Sequence, residues 1–294
     1  MGLHAIDEAK RCLNCKKPRC MEGCPIHTPI PAMIRMFLDG QMTEGAQMVF
    51  ANNPLSVICS LVCDHEKQCE GHCVKGIKGE PVHISSIENY ISDTCFDKMK
   101  LEKKPWNGGR IGVVGAGPAG ITIAILMACR GYRVTIFEIR EKIGGILRYG
   151  IPEFRLPKSI LDRYYLKMKE LGIRFRPNFA LGGSTGVHDL LEDGYNAVFI
   201  GTGTWRPYRL NIPGETFGNV HYGISYLNNP DVYDLGDRVV VIGAGNAAMD
   251  VARTAIRKGS RYVTVYSVTE VPAASPKEVE YARIDGVEFE FLQT

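Results

Sequence analysis

Seven cysteines of this chain sit at spacings suited to metal–sulfur chemistry. Cys12, Cys15, Cys20 and Cys24 form Cys-x2-Cys-x4-Cys-x3-Cys-Pro, and Cys63, Cys69 and Cys73 form Cys-x5-Cys-x3-Cys. Thiolates so spaced can wrap an iron–sulfur cubane from a loop, leaving the last thiol free to reach a second cluster. Seven thiols fall one short of two complete four-ligand sites. Zinc is the rival reading, but two zinc sites would want two compact pairs, and one Cys-x2-Cys pair is present. Buried thiols without a metal are the third reading. Cys59, Cys95 and Cys129 lie outside the spacing and read as packed thiols.

Two glycine-rich turns carry a second chemistry. A strand over Arg110–Val114 runs into Gly115-Ala116-Gly117-Pro118-Ala119-Gly120 and then an apolar helix. Gly115 allows the tight turn, Gly117 lets backbone approach a pyrophosphate, and Gly120 lets helix and strand pack closely. The helix N-terminus offers its N–H groups to phosphate. Glu138, eighteen residues past Gly120, is placed to accept the adenosine ribose hydroxyls. The pattern returns 128 residues after Gly115. There the strand Val239–Ile242 leads into Gly243-Ala244-Gly245-Asn246-Ala247-Ala248 and a helix over Met249–Arg257. Alanine in the last position of this second turn still permits close packing.

The elements that position these residues divide the chain into three. Residues 1–104 are cysteine-rich, with helical patterns at Ile30–Leu38 and Met42–Phe50 and no sustained strand alternation. A polar linker, 98–109, follows. Residues 105–235 carry the first strand–turn–helix unit and residues 236–294 the second. The expected fold is α/β: an N-terminal, mostly helical domain, then two Rossmann-like βαβ nucleotide-binding domains. A net charge of +3 gives no argument for nucleic acid or a membrane surface. No apolar run approaches the ~18 residues of a spanning helix. The N-terminus has no basic segment followed by an apolar run, so the reading is cytoplasmic.

The stretch EAKRCLNCKKPRCMEGCPIHTPIP, with NPLSVICSLVCDHEKQCEGHCVKGIKGEPVHISSIENY, resembles the N-terminal iron–sulfur domain of the glutamate synthase small subunit family. Dihydropyrimidine dehydrogenases and the large subunit of NADH-dependent ferredoxin–NADP transhydrogenases are similar. The resemblance implies two 4Fe-4S clusters with crossed ligands. One would be held by Cys12, Cys15, Cys20 and Cys73, the other by Cys24, Cys63, Cys69 and Glu88. It implies FAD in the first turn, with Gly145 and Leu147 in a second flavin-contacting turn and Thr202 and Gly203 in a closing one. Arg148, Arg155 and Lys158 are further candidates there, each equally readable as a surface charge. In the second turn Asn246, Ala247 and Asp250 match the family's NAD(P) positions.

The implied function is an NAD(P)H-dependent oxidoreductase subunit, serving a larger catalytic or electron-accepting partner, with ferredoxin a further candidate. Two alternatives stay open: an electron-bifurcating transhydrogenase subunit, and a non-catalytic scaffold whose clusters are structural. The chain departs from the family in two places. Ser267 and Val268 stand where NADPH-using members carry arginines, and Glu270 adds negative charge, so NAD(H) is favoured over NADP(H). Arg253, Arg257 and Lys258 are the cations left to compensate. The sequence also ends inside the second nucleotide domain, which is expected to be incomplete at its C-terminus.

Overall fold

The computed structural model of the chain describes residues 2–292. The cysteine-rich region is helical: α1 (Gly2–Lys10), α2 (Arg19–Glu22), α3 (Ile30–Leu38), α4 (Met42–Asn52), α5 (Ser56–Val62) and α6 (Ile84–Phe96). Helix α6 is its axis, packing against α1, α3, α4 and α5. Its inward row is Ile84, Ile87, Glu88, Ile91 and Cys95, the three- and four-residue spacing of one helix face. Each isoleucine so buried contributes roughly 1.5–3 kcal/mol. Glu88 lies in the same row at 7% exposure. A carboxylate in an apolar stripe is costly unless something compensates it.

The first sheet follows, from β1 (Arg110–Val114), α7 (Pro118–Cys129), β2 (Arg133–Phe137), β3 (Arg174–Arg176) and β4 (Ala197–Ile200). Its strand order is β3-β2-β1-β4, all parallel. Between β2 and β4 lie the short helices α8 (Ile146–Tyr149) and α10 (Val187–Glu192), and the longer α9 (Lys158–Glu170). Helix α9 fastens this sheet region to the cysteine region. Its Tyr164 hydroxyl donates to the Pro54 carbonyl at 2.8 Å, and the Tyr164 and Phe96 rings lie 4.5 Å apart. Arg163 pairs with Asp93 and Asp97, and the buried Lys167 ammonium donates to the Met99 carbonyl. The chain up to Gly145 and Arg155–Thr202 accordingly form one compact unit.

The second unit comprises Ile146–Phe154 and the chain from Gly203 onward. After α11 (Gly223–Asn228) come β5 (Arg238–Ile242), α12 (Asn246–Arg257), β6 (Tyr262–Tyr266), α13 (Pro276–Ile284) and β7 (Glu288–Glu290). Strands β5-β6-β7 form a parallel three-stranded sheet. One face packs Val241, Val263 and Val265 against Met249, Ala252 and Ala255 of α12, with Phe289 alongside. Helix α12 begins at Asn246, three residues before the expected start, because Gly245 already holds the extended N-cap conformation.

Candidate cofactor sites

The loop after α1 carries Cys12 and Cys15, α2 carries Cys20, and Cys73 arrives from the far end of the cysteine region. The four line one recess, together with Ile30, Ile34 and Val82. Burial pushes the Cys20 thiol up to about 11, and Cys73, Cys12 and Cys15 add to the shift. Burial raises Cys12 as well, with Cys15 and Cys73 contributing. Two buried thiols held un-ionised by burial and by their sulfur neighbours suit a site that takes positive charge. An iron core would supply it.

A second group gathers around Glu88. Cys63 closes the C-terminus of α5, and its thiol is raised by a hydrogen bond with Cys59, by burial, and by Glu88 and Cys69. Burial raises Cys69, with Glu70, Glu88 and Cys24 adding. Burial also pushes Glu88 up to about 8. Cys24, Cys63, Cys69 and Glu88 are thus neighbours, although Cys24 belongs to the first motif in sequence. The donor sets, four sulfurs in one and three sulfurs with one oxygen in the other, fit two iron–sulfur clusters. Among the described residues no three His, Cys, Asp or Glu side chains are grouped closely enough to hold a single metal ion. Cys59, four residues before Cys63 and read as a packed thiol, makes a hydrogen bond with it.

In the first nucleotide unit, Gly117 caps α7 and Pro118 occupies the first helical position, with no side chain capping the helix. The amide N–H groups of Ala119 and Gly120 are therefore free of a capping partner in this turn. A Cβ on Gly117 would find only the Gly145 Cα, 3.9 Å away. The space over Gly117 is the approach a pyrophosphate needs. Glu138, buried at the end of β2, accepts from Ala116 N–H at 2.6 Å and from Arg140 N–H at 2.9 Å. These bonds fix the carboxylate and leave lone pairs for a ribose diol. Gly144 N–H donates to the Ala116 carbonyl, which draws Gly145 against the turn. Thr202 follows β4 beside Gly115. Leu147, which is buried, and Gly203 belong to the second unit.

In the second nucleotide unit Gly245 caps α12, again without a side-chain cap. The Asn246 amide oxygen accepts from Ser275 N–H at 2.9 Å, so this side chain pins the segment leading into α13. Ala247 is exposed at the helix start, and Asp250 is buried one turn later. The cations expected to compensate are occupied. Arg253 pairs with Glu278 and Asp285 at 2.8 Å each, Arg257 with Asp285, and Lys258 with Asp231. Beyond β6 the Ser267 hydroxyl is shared with Thr269, whose backbone N–H also donates to it.

The family model described as dihydropyrimidine dehydrogenase domain II, 4Fe-4S cluster, matches residues 2–100. The model described as pyridine nucleotide-disulphide oxidoreductase matches residues 109–291. The glutamate synthase (NADPH) small chain of Halomonas elongata is 36% identical, over 98% of this chain and 64% of its own length. That of Escherichia coli is 34% identical, over 97% of this chain and 64% of its own. The chain therefore spans 64% of the length of each of these two relatives. A solved 2-naphthoyl-CoA reductase aligns over 90% of this chain and 37% of its own, with a TM-score of 0.58 at 21% identity, a likeness of fold. With well over half of its length matched, the chain belongs to the pyridine nucleotide-disulphide oxidoreductase family, and its N-terminal region is a 4Fe-4S domain of the dihydropyrimidine dehydrogenase type.

Proposed function

We propose that this chain is a cytoplasmic oxidoreductase subunit that moves electrons between a nicotinamide nucleotide, FAD and two 4Fe-4S clusters, and exchanges them with a larger partner subunit. Residues 1–104 would hold the clusters, 105–235 the FAD and 236–294 the nucleotide. When bound, these cofactors supply hydride acceptance and its conversion into single-electron steps. The chain's own residues bind and orient them. The turns at Gly115 and Gly243 present uncapped helix N-termini to pyrophosphates, and Glu138 orients a ribose. The observation that carries the reading is the crossed gathering of Cys73 with Cys12, Cys15 and Cys20, and of Cys24 with Cys63, Cys69 and Glu88. Packed thiols need not meet across the two motifs, and two zinc sites would want a second Cys-x2-Cys pair.

The test is the composition of protein purified without oxygen. About eight iron and eight acid-labile sulfide per chain are expected from two cubanes. Cys73→Ser should remove the cluster of Cys12, Cys15 and Cys20 and spare the other. Zinc without labile sulfide would sink the reading. Reduction of bound flavin by added nucleotide separates the enzyme from the scaffold alternative.

For the nucleotide we propose NAD(H), although the two relatives are named for NADPH. The ion-paired Arg253, Arg257 and Lys258 support this, as does the Ser267 hydroxyl engaged with Thr269. A 2′-phosphate would meet no uncommitted cation among these four residues.

A further inference from the structure

Cys59 stands outside the spacing of both cysteine groups, yet its surroundings are polar. It lies one turn before Cys63 on α5, and the Cys63 N–H donates to its carbonyl at 3.0 Å. The two thiols share a hydrogen bond. Asn53, 7% exposed, also turns its side chain to the Cys59 sulfur. The Asn53 amide oxygen accepts from the Leu55 N–H at 3.0 Å, which leaves the amide nitrogen for the thiol. That nitrogen is buried and has no hydrogen-bond partner of ordinary geometry among the described residues. A donor left open in this way costs about 1–3 kcal/mol. The corner that aims it is held by the neighbouring region, since the Tyr164 hydroxyl of α9 donates to the carbonyl of Pro54, the next residue.

Metal ligation fixes the direction of the Cys59–Cys63 bond. While both sulfurs keep their protons, either can donate. As a ligand Cys63 is a thiolate and has no proton to give. The bond then persists only with the Cys59 S–H donating to the Cys63 sulfur. With its proton so directed, Cys59 presents its lone pairs to the Asn53 N–H. Asn53, Cys59 and Cys63 then form one chain of donors that ends on a ligand sulfur. We propose that Cys59, held by Asn53, donates to the Cys63 sulfur and thereby raises the reduction potential of the cluster of Cys24, Cys63, Cys69 and Glu88. This rests on the iron–sulfur reading above and deepens it with a positioning residue that touches a ligand but not iron. The sign follows from charge. An added electron makes the ligand sulfurs more negative, and a hydrogen bond donated to one of them favours that reduced state.

The test is a potentiometric titration of the full chain, cluster-loaded without oxygen and followed by electron paramagnetic resonance. Cys59→Ala should keep about eight iron and eight acid-labile sulfide per chain. At a fixed applied potential the reduced-to-oxidised ratio of one cluster should fall about tenfold, a midpoint lower by about 59 mV for a one-electron couple. The cluster of Cys12, Cys15, Cys20 and Cys73 should not move and serves as the internal reference. Cys59→Ser, whose hydroxyl donates in place of the thiol, should return the ratio to within about threefold of the unaltered protein. An unchanged midpoint in Cys59→Ala would overturn the proposal, as would a shift that Cys59→Ser fails to reverse. Loss of about four iron and four sulfide in both variants would overturn it too, because Cys59 would then be a ligand. Unaltered protein without labile sulfide would remove the iron–sulfur reading and the proposal with it, whereas full clusters with an unmoved potential would remove the proposal alone.

Discussion

The two glycine-rich turns share a motif but not an environment. In the first, a Cβ on Gly115 would lie 2.4 Å from the Gly201 carbonyl oxygen, and one on Gly120 would lie 1.9 Å from the Gly115 oxygen. In the second, Gly243 and Gly245 have no heavy atom within 4 Å of that position, and Ala248 stands where the first turn has Gly120. Gly115 and Gly243 share a left-handed backbone, with φ of +99° and +105°. One motif therefore answers two demands. In the first turn the protein's own backbone closes on Gly115 and Gly120, whereas in the second only φ at Gly243 and the approach of a ligand ask for glycine.

That contrast can be broken most directly at the last position of the motif. Gly120→Ala forces a methyl into the Gly115 carbonyl and should cost about 3 kcal/mol, the upper range of overpacking. The reciprocal Ala248→Gly meets no clash and should cost only about 1 kcal/mol in helix propensity. Chemical denaturation of both variants measures the difference, and equal losses would show the turns to be equivalent. The middle glycines sharpen the comparison through ligands. Gly117→Val should leave the fold intact and abolish FAD retention, whereas Gly245→Val should keep FAD and lose nucleotide-driven flavin reduction. Flavin content and anaerobic titration read the two outcomes, and stoichiometric FAD in Gly117→Val would remove the first turn from the flavin site.

The smallest effect concerns nucleotide choice in the second turn. Ser267→Arg with Val268→Arg should shift preference towards NADPH about tenfold to a hundredfold, since a charge-assisted bond contributes about 1.5–3 kcal/mol. Flavin reduction rates with both nucleotides decide it. A tenfold preference of the unaltered protein for NADPH would mean that Arg253 or Arg257 leaves its carboxylate partner for the phosphate.

Much of the architecture was legible because it follows local rules. The helix Ile30–Leu38 appears over the expected residues, and α4 runs two residues past the expected Phe50 to Asn52. Both Gly-rich turns lie between a parallel strand and a helix, as their spacing implied. Less legible was the part that depends on distant residues. No periodicity announces that Arg163, Tyr164 and Lys167 of α9 seize the region around Pro54, Asp93 and Met99. Nor does the linear order of charges reveal that Arg253, Arg257 and Lys258 are spent on Glu278, Asp285 and Asp231. Ion pairing is a property of separation in space, and these partners lie 25–32 residues apart in the chain.

By itself the sequence determined the types and spacings of the donors: seven thiols in two groups, two glycine-rich turns, and Glu138 at the end of its strand. Those are set by covalent spacing and by backbone conformations that few residues can adopt. The spacing left open which thiols are neighbours, and that depends on tertiary structure. Cys73 joins Cys12, Cys15 and Cys20, and Cys24 turns instead to Cys63, Cys69 and Glu88. The physical reason is the packing of α6: the isoleucine row that buries this helix carries Glu88 into the interior with it.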